Sequence, residues 1–104
     1  VGGGVSVFSF SQVENAARAT LSALRAPQGV YNVVDDQPVP VHTWLPGYAR
    51  WVGAPAPRQL DVPHARASLG EENVYYQNAL DGACNYKARA VLGLAPRRQP
   101  WGAA

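Results

Sequence analysis

The stretch that most constrains this chain runs from Val5 to Asp36, VSVFSFSQVENAARATLSALRAPQGVYNVVDD. It predicts a strand, a helix and a second strand in succession. Val5, Val7, Phe8 and Phe10 are β-formers with partial alternation. Ser11 stands where an N-cap is expected, and Glu14 follows at capping-box spacing. Val13, Ala17, Thr20, Leu21 and Leu24 recur at three- and four-residue intervals and predict one apolar helical face. Pro27 and Gly29 stop the helix, and Val30–Val34 reads as the second strand, closed by Asp35, Asp36 and Pro38. A unit of this length suits a right-handed crossover between parallel strands.

Downstream, the pattern becomes helical and aromatic. Trp44, Leu45, Tyr48, Trp51 and Val52 share one helical face, with Gly53 as the stop. Pro46 fits if it lies in the first turn, which favours a start near Thr43. Trp44, Tyr48 and Trp51 are candidates for stacking on a flat ligand, with a core role favoured. Ala54–Pro57 is a stiff connector, Arg58–Val62 a short edge strand, and His64–Gly70 a short helix. Tyr75, Tyr76 and Gln77 offer two phenols and an amide that can orient an oxygen-rich ligand, weighed evenly against a half-buried strand. Asn85 caps a last helix that Gly93 and Pro96 end, and Trp101 folds back onto the domain.

Composition narrows the function classes. One domain spanning 1–104 is expected from 104 residues. A net charge of +2 with 15% charged residues argues against a charge-driven nucleic-acid or membrane surface. Eight arginines against one lysine, with abundant Ala, Gly and Pro, fit a GC-rich bacterial genome. The single Cys84 excludes an internal disulfide framework and a cysteine-based metal site, and a buried structural thiol is the favoured reading. His64 with Asp61 and Glu71 lacks metal-site spacing, so no metal is expected. His42 is read as a capping or surface residue rather than a general base. No apolar run approaches the roughly 20 residues of a membrane span, and a cytoplasmic setting fits.

Two segments together carry a family resemblance. FSFSQVENAARATLSAL followed by GVYNVVDDQPVPVHTWL, and later Asn85–Arg97 (NYKARAVLGLAPR), resemble the C-terminal, substrate-binding part of the extended short-chain dehydrogenase/reductases of the NAD-dependent epimerase/dehydratase type. Gln12 stands where His is usual in that family, and Asn15 where Asp is usual. The family's glycine-rich dinucleotide fingerprint is missing: Gly2-Gly3-Gly4 follows no strand and lacks G-x-G-x-x-G spacing. The Tyr-x-x-x-Lys pair is missing too, because Ala83 precedes the sole Lys87 by four.

The expected fold class is therefore α/β, with an α+β arrangement as the alternative. It would be a small two- or three-layer domain with short strands and about three to four helices. The resemblance implies substrate contacts at Gln12, Asn15, Trp44, Tyr75, Tyr76 and Gln77, with no catalytic residue assigned, no cofactor and no metal. Without a cofactor domain, an apolar face stays uncovered, so a homodimer or a complex with another subunit is expected. Three functional readings follow. The first is a stand-alone reduced relative that binds a small oxygenated substrate, a natural-product intermediate or a sugar-like molecule; as an enzyme it would be a cofactor-independent cyclase or isomerase. The second is a C-terminal fragment of a full NAD(P)-dependent oxidoreductase or epimerase, suggested by a start without Met at a glycine-rich turn. The third is a non-enzymatic interaction subunit.

Overall fold

A computed structural model describes Val1–Trp101. Among the described residues the fold is a small α+β arrangement of five helices and one two-stranded antiparallel sheet. The elements are β1 (Val7–Phe8), α1 (Val13–Ala23), β2 (Val39–Pro40), α2 (Val41–Val52), α3 (Val62–Leu69), α4 (Glu71–Asn78) and α5 (Tyr86–Leu92). The chain divides into two compact units.

The first unit comprises Val1–Phe8, Val39–Gly82 and Pro100–Ala104. In its sheet Val7 pairs with Pro40 and Phe8 with Val39. Pro40 has no N–H for a ladder and ends its strand, where it serves as N-cap of α2. Ser6 is fully buried and holds three segments: its N–H donates to Gln77 O, its Oγ accepts from Leu80 N–H at 2.8 Å, and its carbonyl accepts from Val41 N–H. Gly53 closes α2 in the left-handed region at φ 75°, as the sequence predicts. The start differs: α2 begins at Val41 rather than near Thr43, leaving Pro46 inside the helix. Val41 and Ala49 form its buried side, while Trp44, Tyr48, Trp51 and Trp101 build an aromatic ladder with centroid spacings of 5.1 to 6.3 Å. Trp101 thus packs back as expected. Arg58–Leu60 forms no strand, and Val62 already belongs to α3. Asp61 caps α3 by accepting from His64 N–H at 2.9 Å, with Pro63 in the first turn. Tyr75–Gln77 lie on a helix, not on the strand weighed as the alternative.

The second unit comprises Ser9–Pro38 and Ala83–Gln99. Its core is Ala19, Ala88, Leu92 and Leu94, flanked by Ala26, Tyr31 and Val33. Helix α1 forms where predicted, but Gln12 rather than Ser11 is its N-cap, with no side-chain cap bond. Its buried side is also different. Asn15 and Ala19 face inward, whereas Val13, Leu21 and Leu24 are 84, 69 and 80% exposed. Small residues let α1 approach α5 closely, and the bulkier stripe is left outside.

Val30–Val34 is not a strand. A strand needs a neighbouring ladder, and this segment lies in irregular backbone followed by a single bond from Asp35 N–H to Phe10 O. The predicted parallel crossover is therefore replaced by an antiparallel pair that uses Val39–Pro40. Lys87 Nζ sits 4.7 Å above the Tyr31 ring, a cation–π contact within this unit. Cys84 is exposed rather than buried; its backbone carbonyl accepts from Asn32 Nδ2 at 3.1 Å in an exposed hydrogen bond. No helix among the described residues is long and apolar enough to cross a membrane.

Candidate functional site

Two of the residues singled out from sequence meet on one short segment of the second unit. Gln12, at the head of α1, donates from Nε2 to Arg98 O at 3.0 Å. Asn15, one turn later, is 3% exposed and accepts the Arg97 N–H on Oδ1 at 3.4 Å. Its Nδ2 is buried with no acceptor among the described residues. Both side chains tether the Pro96–Arg98 segment to α1. Their amides act on this chain's own backbone far along the sequence, and Gln12 makes no side-chain cap bond to its own helix.

That tethering shapes a cleft of about 240 Å³ lined by Asp35, Asp36, Gln37, Pro96, Arg97 and Arg98. Arg98 donates from Nε and Nη2 to Gln37 Oε1 at 3.2 and 2.9 Å. Arg97 Nη1 lies 3.4 Å from Glu14 Oε2, both groups being largely exposed. Asp35 is 5% exposed, although a carboxylate at the end of an apolar run is ordinarily solvated. Burial pushes its carboxyl above the ordinary aspartate range, opposed by the Gln37 N–H that donates to Oδ1 at 3.1 Å and by the Gln99 side chain, while the Asp36 charge adds to the rise. Asp36 shifts the other way. Hydrogen bonding from Asn85 lowers it first, and Arg89 at 2.7 Å adds to the effect. Two adjacent carboxylates thus occupy opposite environments, one buried and one exposed beside Asn85 and Arg89.

Trp44, Tyr75, Tyr76 and Gln77 lie in the first unit, and Gln12 in the second, so neither unit gathers all of them. Trp44 stacks on Phe8 at 5.2 Å. Tyr75 and Tyr76 meet edge to face at 5.6 Å and are both exposed. The Gln77 Oε1 accepts from the Val1 nitrogen at 3.0 Å.

The triple glycine does not fit a dinucleotide phosphate. Gly2 N–H donates to Leu60 O and Gly4 N–H to Val1 O, so these amides are consumed within the chain. A Cβ on Gly4 would lie 3.1 Å from His42 N, so the turn serves close approach of two backbones. Among the described residues no group of three or more His, Cys, Asp or Glu is placed to hold a metal.

The sequence offers Asp35-Asp36 as paired carboxylates and Arg97-Arg98 as an anion-binding pair, with a solvated role favoured for both; Gln37 gives no signal, and 61 positions with no motif spacing separate it from Arg98.

No protein-family profile matches this chain, and no solved structure does. A curated Streptomyces protein named 3-diazoavenalumate denitrifying reductase is 39% identical over 100 residues, which cover 95% of this chain and 33% of the reductase. The chain is thus similar to part of a reductase, and it spans about a third of the length of the curated relative it matches.

Proposed function

We propose that this chain forms the substrate-side third of a reductase of the extended short-chain dehydrogenase type. In this reading it binds and orients a small oxygenated biosynthetic intermediate, as a diazo carboxylate would be. The observation that carries the reading is the 39% identity sustained across 95% of the chain to a protein whose name gives both a reduction and a diazo substrate. The similarity favours the reductase-part reading over a cofactor-independent cyclase. A nicotinamide cofactor would be held by residues outside this sequence, because the Gly2–Gly4 turn spends its amides internally. What remains for this chain is positioning, by polar groups such as those of the Asp35–Arg98 cleft. The exposed Val13, Leu21 and Leu24 side of α1 supports the same reading: it is an apolar surface for the rest of such an enzyme, or a second copy of this chain, to cover.

The test is a chimera in which these 104 residues replace the matching third of the Streptomyces reductase. Dinucleotide oxidation with the diazo substrate of that enzyme should be retained, against none in a chimera lacking the third. A folded, dinucleotide-binding chimera without turnover overturns the proposal.

A further inference from the structure

The Arg98 fork is filled by an acceptor that uses half of it. Nε and Nη2 both converge on one neutral atom, Gln37 Oε1. That edge of a guanidinium matches the two oxygens of a carboxylate, with parallel and stronger charge-assisted bonds. The other charges around the cleft are largely committed. Asp36 is held by Arg89 and Asn85, and Arg97 faces Glu14. Asp35 is buried, accepts from Gln37 N–H and is biased towards its neutral form. Arg98 is therefore the cation of the cleft whose described hydrogen bonds go to an uncharged group. The space, about 240 Å³, is below that of a typical drug-sized pocket and suits a small acid or the acidic end of a longer one.

We propose that this cleft binds the carboxylate of a small organic acid, which takes both N–H groups of Arg98 in place of Gln37 Oε1. The choice of an organic acid as the source of the carboxylate rests on the reductase reading above; the anion site itself rests on the geometry. Displaced from Arg98, the Gln37 amide keeps its Nε2 donors for a second oxygen of the ligand. An ionised Asp35 is a like charge beside the ligand and opposes its binding.

The experiment is an NMR titration of the 104-residue chain with trans-cinnamate, with cinnamamide as the neutral counterpart, at neutral pH. Saturable shifts in the Gln37 and Arg97–Gln99 amides are expected with cinnamate alone. Arg98→Gln, at an exposed position, should bind roughly tenfold more weakly. Gln37→Ala, which frees the fork, should bind at least as well as the parent, and so should Asp35→Asn, which removes a like charge from the cleft. Equal binding of cinnamate by Arg98→Gln, equal binding of cinnamamide, or no binding overturns the site. Turnover by the chimera with no cinnamate binding removes this inference and leaves the reductase reading standing. Arg98-dependent binding with a dead chimera does the reverse.

Discussion

Asn85 opens helix α5 without capping it: its Nδ2 reaches back to the Asp36 carboxylate at 2.8 Å and to Val34 O at 3.0 Å. One amide thereby ties the start of α5 to the irregular segment after Val30. Asp36 also pairs with Arg89 on the same helix. Asn85→Ala should cost about 1 kcal/mol at neutral pH, the worth of one hydrogen bond to a charged but partly exposed group. Because hydrogen bonding lowers the Asp36 pKa, its contribution is present above the ordinary value of roughly 3.9 and is lost as pH falls through the folded-state pKa. The deficit of Asn85→Ala in urea unfolding should therefore shrink below about pH 4. A deficit independent of pH would show that Asp36 is not the partner that matters.

Asp35 gives the opposite pH signature. Burial raises its pKa, so the folded state holds its proton more tightly than the unfolded chain does. That contribution is full below the ordinary value and is lost as pH rises through the folded-state pKa. Asp35→Asn keeps an oxygen for the Gln37 N–H and removes the buried charge. Its melting temperature should match or exceed that of the parent at pH 8, and the advantage should vanish near pH 4. Thermal scans from pH 4 to pH 8 decide it: a parent that gains on the variant as pH rises contradicts the burial argument.

The helix ends were legible because the signals are local. Gly53 and Gly93 both take the left-handed conformation that their positions after apolar runs predict. What sequence did not give was the partner of each face. The stripe Val13–Leu21–Leu24 is a correct helical period, yet the side that packs is Asn15–Ala19, because Ala88 and Leu92 leave room for small residues. Val30–Val34 has β-forming residues and no ladder, since strand formation depends on a neighbour and not on propensity. The cleft was legible only in pieces. Asp35-Asp36 and Arg97-Arg98 stand out as charged pairs, but tertiary contacts that no spacing announces bring them together, with Gln12 and Asn15 as tethers.

Gly4 is a position where a side chain cannot enter. Its φ is +58°, it is buried, its carbonyl accepts from His42 N–H at 3.0 Å, and a Cβ would meet that same backbone nitrogen at 3.1 Å. Backbone on backbone has no flexible end to move away. Gly4→Ala should cost roughly 1–3 kcal/mol. Gly93, left-handed at φ +65° with nothing within 4 Å of a Cβ, carries the conformational penalty without the clash. Gly93→Ala should cost only about 1 kcal/mol. Equal losses in denaturant midpoint would show that conformation alone, and not the close approach at His42, governs the first position.

The exposed stripe of α1 separates stability from assembly. Leu21 and Leu24 are 69 and 80% exposed, so replacing both with Gln removes little burial from this chain. The double variant should unfold within about 0.5 kcal/mol of the parent. In the reductase chimera the same change places polar amides against whatever covers α1, and a buried unsatisfied amide costs about 1–3 kcal/mol each. The chimera should then lose dinucleotide-dependent turnover or melt at a lower temperature, while the isolated chain does not. Native mass spectrometry of the isolated chain distinguishes the coverings: a parent dimer that dissociates in the double variant identifies a second copy on this face, and a parent monomer leaves the face to the rest of the reductase. A double variant that destabilises the isolated chain by several kcal/mol would mean the stripe is already packed, and the argument for an external covering would fall.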